Sequence, residues 1–231
     1  MKKIFAILLP LLAALLAMSC NNGPDNIVGF EASTAVFSGK VMGAGGGPMA
    51  GVGVHYIFDF DPASSVAPLS KSTPTTLIDF ELPGDGDVTL NILRYGSRKY
   101  IATLLHNEPM SAGQNEVEFD PSKLTNGLYV LQIIAGNYTH ESIMALRNTD
   151  IGSLIRTEPL AVTDAEGNFT IPYSWLGIGR KLTVGFDGIN LYNVRISDRI
   201  GVVLYKPGYR AVAGTVILNP GCSTYGELHM Q

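Results

Sequence analysis

Residues 76–92 read TLIDFELPGDGDVTLNI, and this stretch decides the fold class. From Ile78 to Leu82 every second residue is apolar and a carboxylate stands between each pair. The same alternation returns from Val88 to Ile92, after a Pro-Gly-Asp-Gly segment. Successive side chains of a β-strand point to opposite faces, so this pattern is typical of a half-buried strand. The stretch therefore predicts two such strands joined by a turn.

Alternation with period two continues along the chain outside this stretch. In NEVEFD, Val117 and Phe119 face inward between glutamates, and Phe169, Ile171 and Tyr173 repeat the pattern. No window of 12 residues after the N-terminal region has a helical stripe with caps. The 26 glycines and 13 prolines fit many short strands with many turns. The sequence predicts an all-β protein built from packed sheets.

Length and charge restrict the class of protein further. A chain of 231 residues suits one large domain or two small ones. The net charge is −4, and no run of lysines and arginines is present. A nucleic-acid-binding protein needs basic residues to displace counterions from phosphates, so we expect no nucleic-acid partner.

The N-terminus resembles the leader of a bacterial lipoprotein. Lys2 and Lys3 precede an apolar stretch that ends at Leu16, too short to cross a hydrocarbon core, which needs ~20 residues. The following Ala-Met-Ser-Cys is similar to the lipobox, in which the peptidase cuts before a lipid-bearing cysteine. We expect residues 1–19 to be a signal peptide, Cys20 the site of lipid attachment, and residues 20–32 a polar tether. The alternative is a conventional signal peptide followed by an incidental cysteine.

This resemblance implies a location and a membrane partner. The predicted protein is held at the bacterial cell envelope by its lipid. Asparagine, not aspartate, follows Cys20, which by resemblance to Gram-negative sorting implies the outer membrane, on either its periplasmic face or its surface. With Cys20 acylated, Cys222 would be the only remaining thiol, and we expect it to be buried or idle and not a nucleophile.

Residues 66–148 resemble the FlgD-like immunoglobulin-type domain, whose relatives serve as sorting domains in type IX secretion. The landmarks occur in the order of that family. They are Pro83, Val88, Gly96, Leu104, Ala112-Gly113, Phe119-Asp120, Leu124, Gly127 and Tyr129. Sorting domains end their chains, whereas a long segment follows here. The resemblance therefore implies a structural module and not a secretion signal.

Two separated segments resemble a carboxypeptidase-regulatory-like domain, which is a transthyretin-like β-sandwich. The first is SGKVMGAGGGPMAGVGVHYIF, and the second begins TDAEGNF at Thr163 and continues to Gly208-Tyr209. We assign residues 33–62 and 156–219 to this domain and residues 220–231 to a C-terminal tail. The resemblances imply two small sandwiches, immunoglobulin-like and prealbumin-like, with one inserted in the other. A tandem arrangement is the alternative.

The segment TDAEGNFTI also resembles a calcium loop, because acidic and amide residues surround Gly167. An EF-hand loop requires Gly at position 6 and Glu at position 12. Counted from Asp164, Gly167 stands at position 4 and Trp175 at position 12. The segment therefore predicts a turn between strands and no metal site.

No catalytic motif is found. The four histidines lack a second metal ligand at suitable spacing, and His55 is expected to lie on a sheet face. The glycine-rich GAGGGP segment lacks the Lys-Ser/Thr ending of a phosphate loop. We expect no enzyme activity, no catalytic residues, no metal and no cofactor.

Trp175, in PYSWLGIG, is the best candidate for ligand binding, with Tyr173 beside it. Aromatic faces stack on sugar rings and anchor protein contacts. The alternative is that Trp175 fills the end of the sandwich between Leu176 and Ile178.

These observations predict a non-catalytic, lipid-anchored envelope protein that serves as a β-sandwich scaffold or binding module for a protein or glycan partner. The more specific alternative is a carbohydrate-binding lipoprotein of the surface or periplasm.

Overall fold

A computed structural model describes residues 16–20, 35–61, 76–185, 191–219 and 222–230. The predicted tether after Cys20, the predicted signal peptide up to residue 15 and the side chain of Cys20 lie outside the described residues. The strands are β1 Leu16–Cys20, β2 Val36–Met42, β3 Gly53–Ile57, β4 Thr76–Leu82, β5 Gly86–Arg94, β6 Tyr100–Met110, β7 Gly113–Phe119, β8 Gly127–Ala135, β9 Tyr138–Leu146, β10 Ala161–Val162, β11 Asn168–Pro172, β12 Lys181–Gly185, β13 Leu191–Arg195, β14 Arg199–Tyr205, β15 Val212–Ile217 and β16 Cys222–His229.

The protein is mostly β, as the alternation predicted. In the part of the chain that the structure describes, the α-helices are two single turns, α1 Ile151–Leu154 and α2 Tyr173–Leu176, and a 3-10 turn covers Pro121–Lys123. Within the described ranges no helix has the length and apolar character needed to cross a bilayer. The strands form sheets of order β1-β16-β2-β11, β10-β3-β14-β15, β12-β13, β4-β7 and β6-β5-β8-β9.

Strand pairing separates the described strands into two sets, β4 to β9 and all the others. β2 and β3, which come early, pair with strands that follow residue 160: β2 with β11 and β16, and β3 with β10 and β14. The strands from β4 to β9 pair only with one another within the described part of the chain. Strands from the beginning and the end of the chain thus share sheets, while the strands from β4 to β9, which lie between them in sequence, form two separate sheets.

Residues 76–92 form strands with the buried faces that their alternating pattern predicts. In β4, Ile78, Phe80 and Leu82 are buried, while Asp79 and Glu81 are exposed. In β5, the apolar residues from Val88 to Ile92 are completely buried. The protein has two hydrophobic cores. The buried residues of β4 and β5 belong to the second core, which also contains Phe119 and three residues of β8. Removing these apolar side chains from water supplies the main force that holds the two-stranded sheet of β4 and β7 against the sheet that contains β5 and β8.

The first core joins the two sets of strands. It is formed mainly by β2, β3, β11, β14 and β16, but Leu128 and Val130 of β8 also belong to it. Alternate residues of β8 therefore face different cores. Two side chains add polar links, because Asn126 donates to the Tyr56 carbonyl at 2.9 Å and Arg147 donates to the Phe58 carbonyl at 2.8 Å. The two sets of strands are packed together through a buried junction.

The C-terminal segment differs from the expected tail. Residues 222–229 form β16, which pairs in parallel with β2 and contributes Leu228 to the first core. The tail prediction missed this strand because its inward positions include Thr224 and Gly226, which carry little apolar signal.

The segment after Thr163 forms a turn, as predicted. Gly167 has φ +80° and donates its N–H to the Asp164 carbonyl at 3.0 Å. The Asp164 carboxylate accepts from the backbone N–H of Asn168 at 2.7 Å and of Glu166 at 3.1 Å, an arrangement typical of Asx turns. The strands that this turn joins, β10 and β11, lie in different sheets.

Candidate functional site

Tyr173 is buried at the start of α2. Pro172 ends β11 in an extended conformation and Gly177 ends α2 with φ +66°, so α2 is limited to one turn. The Tyr173 side chain is only 5% exposed, and its hydroxyl lies 2.6 Å from the hydroxyl of Thr224 on β16. Burial raises the pKa of this phenol. The ring therefore offers no open face to a ligand.

Trp175 is half-buried and packs against the first core. A Cβ added at Gly96, in the turn after β5, would lie 2.6 Å from the Ser174 carbonyl oxygen and 3.0 Å from Trp175 Cδ1. The turn after β5 thus lies against α2. This geometry favours the packing alternative for Trp175, and we call this region the closed end (Gly96, Tyr173–Gly177).

A cleft opens elsewhere, between β4 and β9. It encloses about 270 Å³. It is lined by Asp79, Phe80, Glu81, Ile133, Tyr138, His140 and Ser142. Phe80 and Ile133 are buried and form its apolar floor, whereas the polar side chains surround its mouth. We call this cleft, with those seven residues, the open edge.

The sequence of β9 explains why the cleft is open. Tyr138 and Met144 lie on one face of β9 and pack against the second core. Strand periodicity puts His140 and Ser142 on that same face, yet both are exposed. β4 and β9 are also the outer strands of their sheets in the described part of the chain. Short polar residues at inward positions of an outer strand leave the gap between the sheets unfilled.

Ring geometry and charge give the cleft its chemistry. The Tyr138 and His140 rings are nearly parallel, with centroids 6.4 Å apart and an interplanar angle of 8°. Asp79 and Glu81 belong to the cleft lining and are exposed, and we call them its acidic rim, although strand alternation puts their side chains on the face of β4 opposite to Phe80. Asp79 stands directly opposite Glu116 of β7. None of these carboxylates makes an ion pair with a described residue. Like charges directly opposite one another are unfavourable, so a cationic group would relieve this repulsion.

The arrangement is suited to binding. Carboxylates accept hydrogen bonds from ammonium, guanidinium or hydroxyl groups, and outer strands carry backbone donors and acceptors for an added strand. Among the residues that the structure describes, no three His, Cys, Asp or Glu side chains come together to hold a metal ion.

A second polar surface crosses the outer face of the β6-β5-β8-β9 sheet. Arg98 binds the Glu141 carboxylate through both terminal nitrogens, at 2.5 and 2.9 Å, and Gln132 donates to the same carboxylate at 2.8 Å. The hydrogen bonds from Arg98 hold the pKa of Glu141 below its ordinary value. These side chains satisfy one another, whereas the rim carboxylates of the open edge have no ion-pair partner in the part of the chain that the structure describes.

His55 is buried, although it is a titratable residue. It is 1% exposed in β3, and its Nδ1 has no hydrogen-bond partner among the described atoms. Burial lowers the pKa of His55 from 6.5 to about 4. His55 lies on a face of β3, as expected, with its side chain opposite to those of Val54 and Tyr56. That face is also buried.

Cys222 is disulfide-bonded, so the expectation of an idle thiol is wrong for this covalent state. The chain contains two cysteines, and the pairing of β1 with β16 puts the backbone of Cys20 directly opposite Cys222. A thioether-linked lipid would occupy the Cys20 sulfur. Lipid attachment at Cys20 and a disulfide to that residue are therefore alternative covalent states.

Comparisons with protein-family models, curated proteins and solved structures give no match for this chain. The two family resemblances remain predictions from the motifs quoted above.

Sequence reasoning missed the residues of the open edge. One signal was available, because the alternation Tyr138, His140, Ser142, Met144 places two polar residues on an inward face. The position of β4 next to β9 could not be predicted from the sequence, because it depends on how two strands that are distant in sequence pack.

Proposed function

We propose that this chain is a non-catalytic, lipid-anchored protein of the bacterial envelope that binds a partner at the open edge. The observation that carries the binding role is the cleft of about 270 Å³ with an apolar floor and an acidic rim that forms no ion pair with any described residue. Such a site combines apolar contact with a few polar groups that orient the ligand. The lipobox-like sequence at Cys20 supports the lipid anchor, and the asparagine that follows Cys20 supports the outer membrane as its location.

The proposed architecture is two β-sandwiches, with the FlgD-like module inserted in the carboxypeptidase-regulatory-like one. Strand pairing supports this arrangement, because β2 and β3 share sheets with β10, β11, β14 and β16. The buried junction around Leu128 and Tyr56 supports a scaffold in which the inserted module has a fixed position. A tandem arrangement would require β2 and β3 to pair with strands that immediately follow them.

The partner that fits the open edge best is an extended protein segment carrying lysine or arginine. β4 and β9 offer backbone groups for strand addition, and Asp79 and Glu81 complement cationic side chains. Phe80 and Ile133 would contact an apolar residue of the same segment. The partner is thus an envelope protein with a basic, extended stretch.

Carbohydrate binding is the second candidate, and one observation favours it. Tyr138 and His140 present aromatic rings beside two carboxylates and the Ser142 hydroxyl. Rings that contact the apolar face of a sugar, with carboxylates that accept from its hydroxyl groups, would suit a glycan. In this candidate the sugar site moves from Trp175 and Tyr173 to the open edge.

Metabolic labelling tests the anchor. Cells that express the full chain are supplied with an alkyne palmitate analogue, and we expect label on the wild type and none on Cys20→Ala. Absence of label on the wild type, or equal label on both chains, would exclude the lipid anchor.

A pull-down from envelope extract tests the binding site with matched charge changes. Asp79→Asn with Glu81→Gln removes the two carboxylates of the acidic rim, whereas Glu108→Gln with Glu118→Gln removes two exposed carboxylates of β6 and β7 that do not line the cleft. We expect the first pair to lose the partner about tenfold and the second pair to retain it. Equal loss in both pairs would mean that general acidity, and not the cleft, attracts the partner.

A glycan array run with the same proteins separates the two candidates. Glycan retention that disappears in His140→Ala would support carbohydrate binding, because His140 is exposed and contributes little to the core. A protein partner together with a silent array would support the peptide.

A further inference from the structure

The edge of β16 is paired with the segment that the proposed processing removes. β1 pairs antiparallel with β16, in the register Leu16 with Gly226 to Cys20 with Cys222. On its other side β16 pairs with β2. Cleavage before Cys20 would remove Leu16 to Ser19, which are four of the five residues of β1. The backbone groups of β16 on that side would then lose their partner strand.

We propose that this newly opened edge of β16 pairs antiparallel with β16 of a second copy of the chain. The inference rests on the proposed lipoprotein processing and concerns a surface separate from the open edge. The β1 pairing supplies the first argument, since it indicates that this edge accommodates an antiparallel strand with regular register. An unpaired edge otherwise exposes a row of N–H and C=O groups to unspecific association.

The sequence of β16 gives the second argument, because it is compatible with pairing to itself. In an antiparallel pair centred on Tyr225, Ser223 stands opposite Glu227 of the partner subunit, and Thr224 stands opposite Gly226 of the partner subunit. No like charges oppose each other, and the two Tyr225 rings form a cross-strand aromatic pair. Tyr225 is 40% exposed in the single chain, so its ring is available for this contact.

The third argument is that β16 lacks the features that protect outer strands. CSTYGELH contains neither proline nor lysine. From Thr224 to His229 it pairs residue by residue with β2, without a bulge. Its side chains Glu227 and His229 contact each other, with His229 Nε2 3.2 Å from Glu227 Oε1. The edge is therefore regular and suited to a partner strand.

The membrane determines when such pairing matters. A contact along a single strand buries less area than a stable interface in solution requires. Chains anchored in one membrane have a much higher effective concentration, which strengthens a weak contact by several orders of magnitude. Pairing of β16 would thus follow anchoring and would be absent from the unprocessed chain.

Cysteine cross-linking in cells tests the proposal. In the full-length chain with Cys222→Ser, Tyr225→Cys would put two thiols directly opposite each other at about 5 Å between Cα atoms, within the range for a disulfide. The control is Tyr209→Cys, which replaces a tyrosine that is 47% exposed, slightly more than Tyr225, in the turn between β14 and β15. After mild oxidation we expect the dimer of Tyr225→Cys to exceed that of the control about tenfold.

A second arm carries Cys20→Ser in addition, which blocks lipidation and retains the leader. Here we expect no dimer, because β1 still covers β16. A processed chain that gives no dimer at Tyr225→Cys would overturn the pairing while leaving the lipoprotein proposal intact. Dimer formation at equal levels in the Cys20→Ser arm would also overturn it. A Cys20 chain that keeps its full length on a gel would overturn the proposed processing, and the inference with it.

Discussion

The closed end and the open edge each hold two neighbouring aromatic side chains, yet their surroundings make them different. At the closed end, the Tyr173 hydroxyl is bonded to Thr224 and Trp175 lies against the turn at Gly96. At the open edge, Tyr138 and His140 border a cleft next to carboxylates that form no ion pair with a described residue. Aromatic residues are therefore informative about binding only together with the exposure of their rings. A change at the closed end should affect stability, and a change at the open edge should affect binding.

The largest effect is expected from a matched pair of turn glycines. Gly96 has φ +80° and a Cβ there would lie 2.6 Å from the Ser174 carbonyl oxygen, whereas Gly136, beside the open edge, has φ +57° and open space around it. We expect Gly96→Ala to lower the free energy of unfolding by about 3 kcal/mol and Gly136→Ala by about 1 kcal/mol. Urea unfolding measures both. Equal losses would show that α2 does not press on this turn.

The next effect concerns pH. As pH falls below 6.5 the unfolded chain takes up a proton on His55, but the folded chain does not until about pH 4. The stability is therefore complete above pH 6.5 and is lost as pH falls toward 4. With allowance for relaxation around the ring, we expect a loss of about 2 kcal/mol in this window. His55→Gln should remove that part of the slope in urea unfolding measured from pH 7 to 4, and an unchanged slope would contradict the burial of His55.

A smaller contrast separates the two tyrosines. Tyr173→Phe leaves the buried Thr224 hydroxyl without its partner, so we expect it to cost about 1.5 kcal/mol. Tyr138→Phe, at the open edge, should change stability by less than about 0.5 kcal/mol. Thermal unfolding of both variants measures the contrast. A larger loss for Tyr138→Phe would reverse the assignment of closed and open.

The smallest effect is expected on the outer face of the β6-β5-β8-β9 sheet. The Arg98–Glu141 pair is exposed, with 47% and 37% of the two side chains accessible. Arg98→Gln should therefore cost about 0.5 kcal/mol at low salt and less at high salt. A salt-independent cost above 1 kcal/mol, measured by urea unfolding, would contradict the interpretation of the Arg98–Glu141 pair as a weak surface ion pair.

Local patterns predicted the local structure well. The alternation in TLIDFEL and VTLNI predicted β4 and β5 with the correct buried faces, since period two is a property of the strand itself. The turn at Gly167 was also correct, because its geometry depends on nearby residues. These predictions needed no knowledge of the rest of the chain.

Features that depend on distant contacts were not predicted. β16 was taken for a tail because Thr224 and Gly226 fill its buried positions, and only its pairing with β2 makes it a sheet strand. The disulfide at Cys222 was missed because lipid attachment was expected to consume the other cysteine. The open edge required both the polar positions in β9 and the approach of β4, and the sequence shows only the first.

Photo-cross-linking in cells tests whether the partner binds at the open edge. A photoreactive amino acid replaces Ser142 at the open edge or, in a second strain, Ser174 at the closed end, and adducts are identified after irradiation. We expect an adduct with an envelope component at position 142 that is lost with Asp79→Asn and Glu81→Gln, and none at position 174. An adduct at position 174 alone would contradict binding at the open edge and return the ligand site to Trp175.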